Sequence, residues 1–257
     1  MSQDDDALDA LARTRPLLAG AVLRPSGETA VAVEFGDRID WTFQSRALAL
    51  AGALDAAAPA GLVEAVPTYR SVLVEFDPRV TDAASVLSAV PEDGADVMSG
   101  LGDSSKEWSV PVCVDGGMAE DVDEAATRLG LARDEVLSRL LASVVRVGMY
   151  GFAPGFAYLK GLDPALEIPR RQSPRPPMPA GSVIIANGQA AIAPQPMPTG
   201  WYVLGRTPIR MFHPQNRGPA MVPFTVGDRL YFRGVDLAEF ERLAGREDGG
   251  LREIGPA

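Results

Sequence analysis

Gly151-Phe152-Ala153-Pro154-Gly155-Phe156-Ala157-Tyr158-Leu159 follows a run of small apolar residues, Val144 to Tyr150. The run reads as a buried strand, and Pro154-Gly155 stops it. Proline presets the first inner position of a turn and glycine accepts the positive φ of the second, so a type II turn fits. Such a turn gathers Phe152, Phe156 and Tyr158 at a strand end. That grouping suits either a plain aromatic turn over the core or a pocket rim, where the phenol finds a polar partner.

Downstream of this stretch the chain is punctuated by Gly and Pro. Lys160 to Pro179 is dense in proline and arginine, so a Pro-restricted surface loop is expected. Its cluster Arg170, Arg171 and Arg175 reads either as a solvated loop or as an anion or carboxylate site, where the guanidinium fork fits two oxygens. Ser182 to Ala186, Asn187-Gly188 and Gln189 to Ala193 form a hairpin pattern across an Asn-Gly turn. Trp201 to Gly205, Thr207 to Phe212 and Arg229 to Phe232 add short strands. Many short strands so spaced argue a closed β-barrel. Trp108 to Val114 reads as its first strand. Two helices, Met118 to Leu129 and Arg133 to Ala142, are inserted before Val144, and Asp236 to Leu243 is a last helix.

Upstream the pattern changes. Ala21 to Leu23 and Ala30 to Phe35 read as strands around Pro25-Ser26-Gly27. Thr42 to Ala58 places Phe43, Ala47, Leu50 and Leu54 on one helical face, and Pro59 and Gly61 end it. Leu62 to Pro67 and Ser71 to Phe76 are strands, and Thr81 to Val90 a helix with Thr81 or Asp82 as N-cap. The order ββαββα describes an α+β domain over 19–92. Residues 1–18, acidic and then Ala/Leu-rich, read as a mostly flexible tail with room for a short helix, 93–106 as a linker rich in Gly, Asp and Ser, 107–243 as the mainly-β barrel domain, and 244–257 as a C-terminal tail.

Composition narrows the function classes. The 257 residues carry 34 acids against 24 Lys and Arg, a net charge of −10, so a nucleic-acid partner is not expected. Cys113 and His213 are single; no intrachain disulfide forms and an ordinary Cys/His zinc site is excluded. No apolar run reaches transmembrane length. The start Met-Ser-Gln-Asp-Asp-Asp lacks a signal peptide's pattern, and a cytoplasmic protein is expected. Gly100-Leu101-Gly102 has neither the third glycine of a dinucleotide loop nor the Gly-Lys-Ser/Thr of a P-loop. Cys113 reads as a core residue between valines, His213 as a loop residue beside Pro214, and no Gly-x-Ser-x-Gly elbow is present. No catalytic residue and no metal site are assigned. The pocket candidates are Phe152, Phe156, Tyr158, Arg170, Ser182, Gln189 and Arg206. Gln189 either closes the hairpin or offers its amide to a urea-like or lactam-like group. Arg206 either ion-pairs structurally or holds a carboxylate or carbonyl oxygen.

The opening motif resembles that of the family of the 5-oxoprolinase B subunit, allophanate hydrolase subunit 1 and the KipI-type kinase inhibitor, which carry carboxyltransferase subdomains C and D. The resemblance continues in order through Val66-Pro67-Thr68-Tyr69-Arg70-Ser71, Pro111-Val112-Cys113, Pro169-Arg170-Arg171, Pro179-Ala180-Gly181-Ser182-Val183, Gly188-Gln189, Gly200-Trp201 and Gly205-Arg206-Thr207-Pro208. It covers roughly residues 20 to 235. It implies a cyclophilin-like barrel after the α+β domain, and a subunit of a heteromeric ATP-dependent amidohydrolase or carboxyltransferase acting on a small amide or lactam. Its implied partner is a subunit-2-like chain (the 5-oxoprolinase C subunit or allophanate hydrolase subunit 2). No cofactor is evident in this chain itself; ATP or carboxybiotin would enter through the assembled complex. The inhibitor member implies the alternative, a regulator of a sensor histidine kinase, and a stand-alone binding barrel is the third reading. The chain departs from the family pattern at Ala190, Ala193 and Thr199, and it has no histidine in Arg139 to Leu141.

Overall fold

The computed structural model describes residues 3–91, 105–173 and 175–255, and the chain divides into two compact units at Ser104/Ser105. Residues 93–104 of the expected linker lie outside the described residues.

In the first unit, strands β1 (Val22–Pro25), β2 (Ala30–Glu34), β3 (Leu62–Pro67) and β4 (Ser71–Phe76) form an antiparallel sheet in the order β1-β2-β4-β3. Its helices are α1 (Gln3–Thr14), α2 (Trp41–Ala57) and α3 (Ala83–Ser88). The expected ββαββα order is present. Local chemistry sets the helix ends. Asp40 starts α2 by accepting from the Thr42 amide at 2.9 Å, and Asp82 starts α3 by accepting from Ser85 at 2.7 Å. β4 alternates as its pattern requires, with Val72, Val74 and Phe76 buried against Ala47, Leu50 and Leu54 of α2. The N-terminal segment is not a flexible tail. α1 occupies it, Leu8 is buried, and a 3₁₀ turn at Pro16–Leu18 buries Leu17 and Leu18. Four leucines, Leu8, Leu11, Leu17 and Leu18, anchor a segment whose average composition is polar.

The second unit begins with β5 (Glu107–Cys113), α4 (Val122–Leu129) and α5 (Arg133–Ala142). Then come β6 (Val144–Tyr150), β7 (Ala157–Lys160), β8 (Arg175–Met178), β9 (Ser182–Ala186), β10 (Gln189–Ile192), β11 (Met197–Thr199) and β12 (Tyr202–Arg206). β13 (Arg229–Val235), α6 (Leu237–Ala244) and β14 (Arg252–Ile254) end it. The strands run β12-β9-β10-β7-β6-β13-β5, and β5 returns to β12 where Cys113 faces Arg206, closing a seven-stranded barrel. Closure removes the sheet edges. β13 and β5 are parallel; the other barrel pairings are antiparallel. Gly205 makes the closing approach possible: a Cβ there would lie 2.8 Å from Val112 and 3.1 Å from the Cys113 carbonyl. The interior is filled by one face of every strand, for example Val112, Val147, Leu159, Ile185, Ile192 and Phe232.

A buried carboxylate ties the barrel's beginning to its end. Asp228 is 2% exposed and accepts from the Lys106 amide (2.9 Å), Trp108 Nε1 (2.8 Å) and the Thr225 amide (2.9 Å). Three donors on one carboxylate offset the cost of burying it.

Three further sequence expectations are corrected. Lys160 to Pro179 is not all loop, because β8 pairs with β11 in a separate two-stranded ribbon, Met197 facing Met178. Pro176 and Pro177 cannot donate to a ladder and are tolerated in so small a ribbon. Thr207 to Phe212 is not a strand: the Thr207 amide leaves the barrel ladder for the Gly181 carbonyl, and Pro208 follows with no donor. The C-terminal segment is not a free tail, since β14 pairs antiparallel with the first residues of β5.

Candidate functional site

Strand parity places the site. The barrel interior takes Leu159, Ala190, Ile185 and Tyr202, so their neighbours Tyr158, Ala191, Ile184 and Val203 point outward. That outer face is apolar. It forms a second core with Phe156, Met178, Met197 and Trp201, and the β8–β11 ribbon contributes the two methionines. The aromatic stretch therefore lies on the outer wall of the barrel.

A cleft of about 210 Å³ opens in this layer. Its lining is Phe152, Phe156, Tyr158, Arg170, Met178, Met197 and the stretch Pro198-Thr199-Gly200-Trp201. The volume is below the range of about 300–1,000 Å³ common for drug-sized ligands and suits a smaller molecule. Four aromatic rings run along it edge to face. Phe152 and Phe156 have centroids 5.4 Å apart, Phe156 and Tyr158 4.9 Å, Tyr158 and Trp201 6.0 Å.

Two turns hold this row. The first is the expected type II turn: the Phe156 amide donates to the Ala153 carbonyl at 2.9 Å, with Pro154 and Gly155 inside and Gly155 at φ +80°. Only glycine fits, because a Cβ would stand 2.4 Å from the Met211 carbonyl oxygen. The second turn has no signal in the sequence. The Ala153 amide also donates to the Gly151 carbonyl at 2.8 Å, enclosing Phe152 alone at φ +69°. A phenylalanine in that region is strained, and the residue is 75% exposed. At the opposite wall the Trp201 amide donates to Thr199 Oγ1 at 3.0 Å. Thr199, a departure from the family pattern, thus fixes the tryptophan.

The three arginines of the proline-rich segment have separate fates. Arg171 meets Asp121 (2.8 Å) and Glu124 (2.6 Å), and its guanidinium lies 4.7 Å from the centre of the Tyr202 ring. Arg175 meets Asp121 (2.7 Å) and Glu120. Asp121 also accepts from the Val203 amide at 2.7 Å, so one buried carboxylate fastens the segment and α4 to β12. Arg170 lines the cleft, and among the described residues no carboxylate pairs with it. Its charge reaches Tyr158: burial pushes that phenol above its ordinary value, and Arg170 pulls it partly back.

Of the seven sequence candidates, Phe152, Phe156, Tyr158 and Arg170 share the cleft, while Ser182, Gln189 and Arg206 do not line it. Ser182 is buried and donates to the Pro179 carbonyl at 2.7 Å. Gln189 starts β10 beyond the Asn187-Gly188 turn, whose positive φ values of 50° and 66° are those of a type I′ hairpin. Arg206 meets Glu120 at 3.4 Å, which is the structural ion pair of its two readings. Met178, Met197 and Trp201 line the cleft although the sequence does not mark them as candidates; Gly200-Trp201 stands in it only as a family motif. Arg139, in the stretch without the family's histidine, pairs with Glu135 and Asp163. Among the described residues no group of three His, Cys, Asp or Glu is placed to hold a metal ion, and no helix is long and apolar enough to cross a membrane.

Residues 21–222 match the family model of the carboxyltransferase domain, subdomain C and D. The 5-oxoprolinase B subunit of Bacillus subtilis is 29% identical over 237 residues, 88% of this chain and 95% of that protein. Its counterpart in Escherichia coli O157:H7 is 31% identical over 209 residues, 80% and 92% of the two chains. The crystal structure of TTHA0988 superposes with a TM-score of 0.69 at 33% identity over 83% of this chain, which spans 40% of that longer polypeptide. The Kluyveromyces lactis urea carboxylase shares the fold, with a TM-score of 0.68 at 20% identity over 91% of this chain and 24% of its own. With about four-fifths of its length covered by the family model and by these relatives, the chain belongs to the family of carboxyltransferase subdomains C and D.

Proposed function

We propose that this protein is a non-autonomous subunit of an ATP-dependent amidohydrolase complex acting on a small amide or lactam, of the same type as the 5-oxoprolinase B subunit. The observation that carries the reading is the near end-to-end similarity to two proteins of that name. The cleft is compatible with it. Rings, thioethers, one phenol and one guanidinium bind and orient a small molecule. Nucleophilic catalysis needs an activated nucleophile beside a base. Cys113 is buried and its thiol is pushed up by burial, so it does not fill that role. In this reading a partner resembling the 5-oxoprolinase C subunit supplies the ATP chemistry, and this chain holds the substrate.

The test is co-expression with such a partner and measurement of ATP-dependent ring opening of 5-oxoproline to glutamate. Turnover is expected only from the complex and is expected to be insensitive to avidin. Turnover by the purified chain alone would overturn the two-polypeptide reading. A complex that hydrolyses allophanate but not 5-oxoproline would overturn the lactam assignment, and avidin-sensitive turnover would move the chemistry to carboxybiotin.

A further inference from the structure

We infer that the outer-wall cleft selects an amide or lactam bearing a carboxylate, with Arg170 as the group that recognises the carboxylate and Tyr158 as the second polar contact. The inference rests on the proposed amidohydrolase role and goes further by naming a specificity-determining residue. Urea is neutral and 5-oxoproline is an anion, so the distinction separates two branches of small-amide chemistry.

The argument starts from how the arginines are spent. Arg170, Arg171 and Arg175 lie within six positions, and the chain is acidic overall. Arg171 and Arg175 are consumed by Glu120, Asp121 and Glu124. Those carboxylates leave Arg170 aside, although it adjoins Arg171; the residue is exposed at the rim of the cleft, its Nε 3.8 Å from where a Cβ on Gly200 would stand. An arginine on a cleft wall with no protein carboxylate on it keeps its fork for two oxygens of a ligand. The Tyr158 hydroxyl has no hydrogen-bond partner among the described residues, and the phenol feels the Arg170 charge. A phenol is neutral near pH 7 and able to donate a hydrogen bond, and burial pushes its titration further from that range. Four of the other lining residues, Phe156, Met178, Met197 and Trp201, are buried and apolar, and they suit the flat face of a small planar amide. One cationic edge and one apolar body match a ligand with one anionic end.

Isothermal titration calorimetry on the full chain, and kinetics on its complex, test this with three probes. These are 5-oxoproline, the neutral lactam 2-pyrrolidinone, and N-carbamoylglycine, a urea carrying a carboxylate. The wild-type chain is expected to bind the two carboxylates more tightly than the neutral lactam. Arg170→Gln should weaken the carboxylates about 10- to 100-fold, the loss expected for a charge-assisted pair, and leave 2-pyrrolidinone unchanged. Arg170→Lys should fall between, since it keeps the charge and loses the fork. In the complex the loss should appear in KM with kcat nearly unchanged, as for uniform binding. Tyr158→Phe should weaken all three probes by a smaller factor, about 3- to 10-fold.

Equal carboxylate binding by wild type and Arg170→Gln would overturn the inference while leaving the amidohydrolase role intact. Loss of 2-pyrrolidinone binding in step with the carboxylates would overturn it too, as would a wild-type chain that binds none of the probes. Arg170-dependent binding of N-carbamoylglycine without 5-oxoproline would uphold carboxylate recognition and remove the lactam assignment.

Discussion

Replacing Phe152 by alanine and, in parallel, by glycine isolates a strain that one residue carries at the cleft rim. Phe152 sits at φ +69° inside a turn closed by the 2.8 Å bond from the Ala153 amide to the Gly151 carbonyl. Left-handed backbone costs a residue with a Cβ about 1–2 kcal/mol, and glycine escapes that cost. Both variants lose the edge contact to Phe156, worth about 0.5–1.5 kcal/mol, so it cancels between them. With the residue 75% exposed, little other burial is lost. Against the relief stands glycine's larger loss of chain entropy, about 0.5–1 kcal/mol. At the centre of these ranges the net favours glycine over alanine by about 0.75 kcal/mol, or about 2–3 °C in Tm for a unit of this size. At an unstrained position the order is the reverse. Calorimetry is the assay, because the two units need not unfold together. Phe152→Gly melting at or below Phe152→Ala would refute the claim that the fold holds this residue under strain. If the strain serves the site, both variants also bind 5-oxoproline more weakly than wild type.

Gly155→Ala forces a Cβ to 2.4 Å from the Met211 carbonyl oxygen at φ +80°; a loss of about 2–4 kcal/mol is expected from backbone strain and overpacking together, read as a lower urea midpoint. Asp121→Asn takes the shared carboxylate from Arg171 and Arg175 while Glu124 and Glu120 still pair with them, and a loss of about 1–3 kcal/mol is expected for the charge-assisted bonds weakened, read by thermal melting. Tyr150 donates to the Phe224 carbonyl at 2.9 Å, and burial raises its phenol well above the ordinary 10.0. Above that pH the unfolded chain loses the proton first, so stability falls as pH climbs past 10.0. Tyr150→Phe should flatten that decline while costing about 1 kcal/mol near neutrality, checked by urea midpoints at neutral and strongly alkaline pH.

Much of the architecture was legible because it depends on short-range chemistry. The apolar alternation of Val72, Val74 and Phe76, the Asn187-Gly188 hairpin, the Asp82 cap and the Pro154-Gly155 turn each follow from a few neighbouring residues. The ordered motifs pointed to the family for the same reason. They mark backbone positions such as Gly155 and Gly205 where a side chain would collide with another strand or loop.

What the linear chain left open was which of its similar residues do which job. Arg170, Arg171, Arg175 and Arg206 are alike in sequence. Only the packing of α4 and its acids against β12 decides that three are held by carboxylates while one borders the cleft. The proline-bearing β8 strand and the β14 strand carry no local signal because each owes its form to a distant partner. By itself the sequence determined the family, the two-part organisation and the turns, since those rest on local sterics and periodicity. Tertiary structure alone decided that the aromatic row lies on the outer wall of the barrel. A strand's two faces differ only in what packs against them, and barrel closure settles which face turns inward.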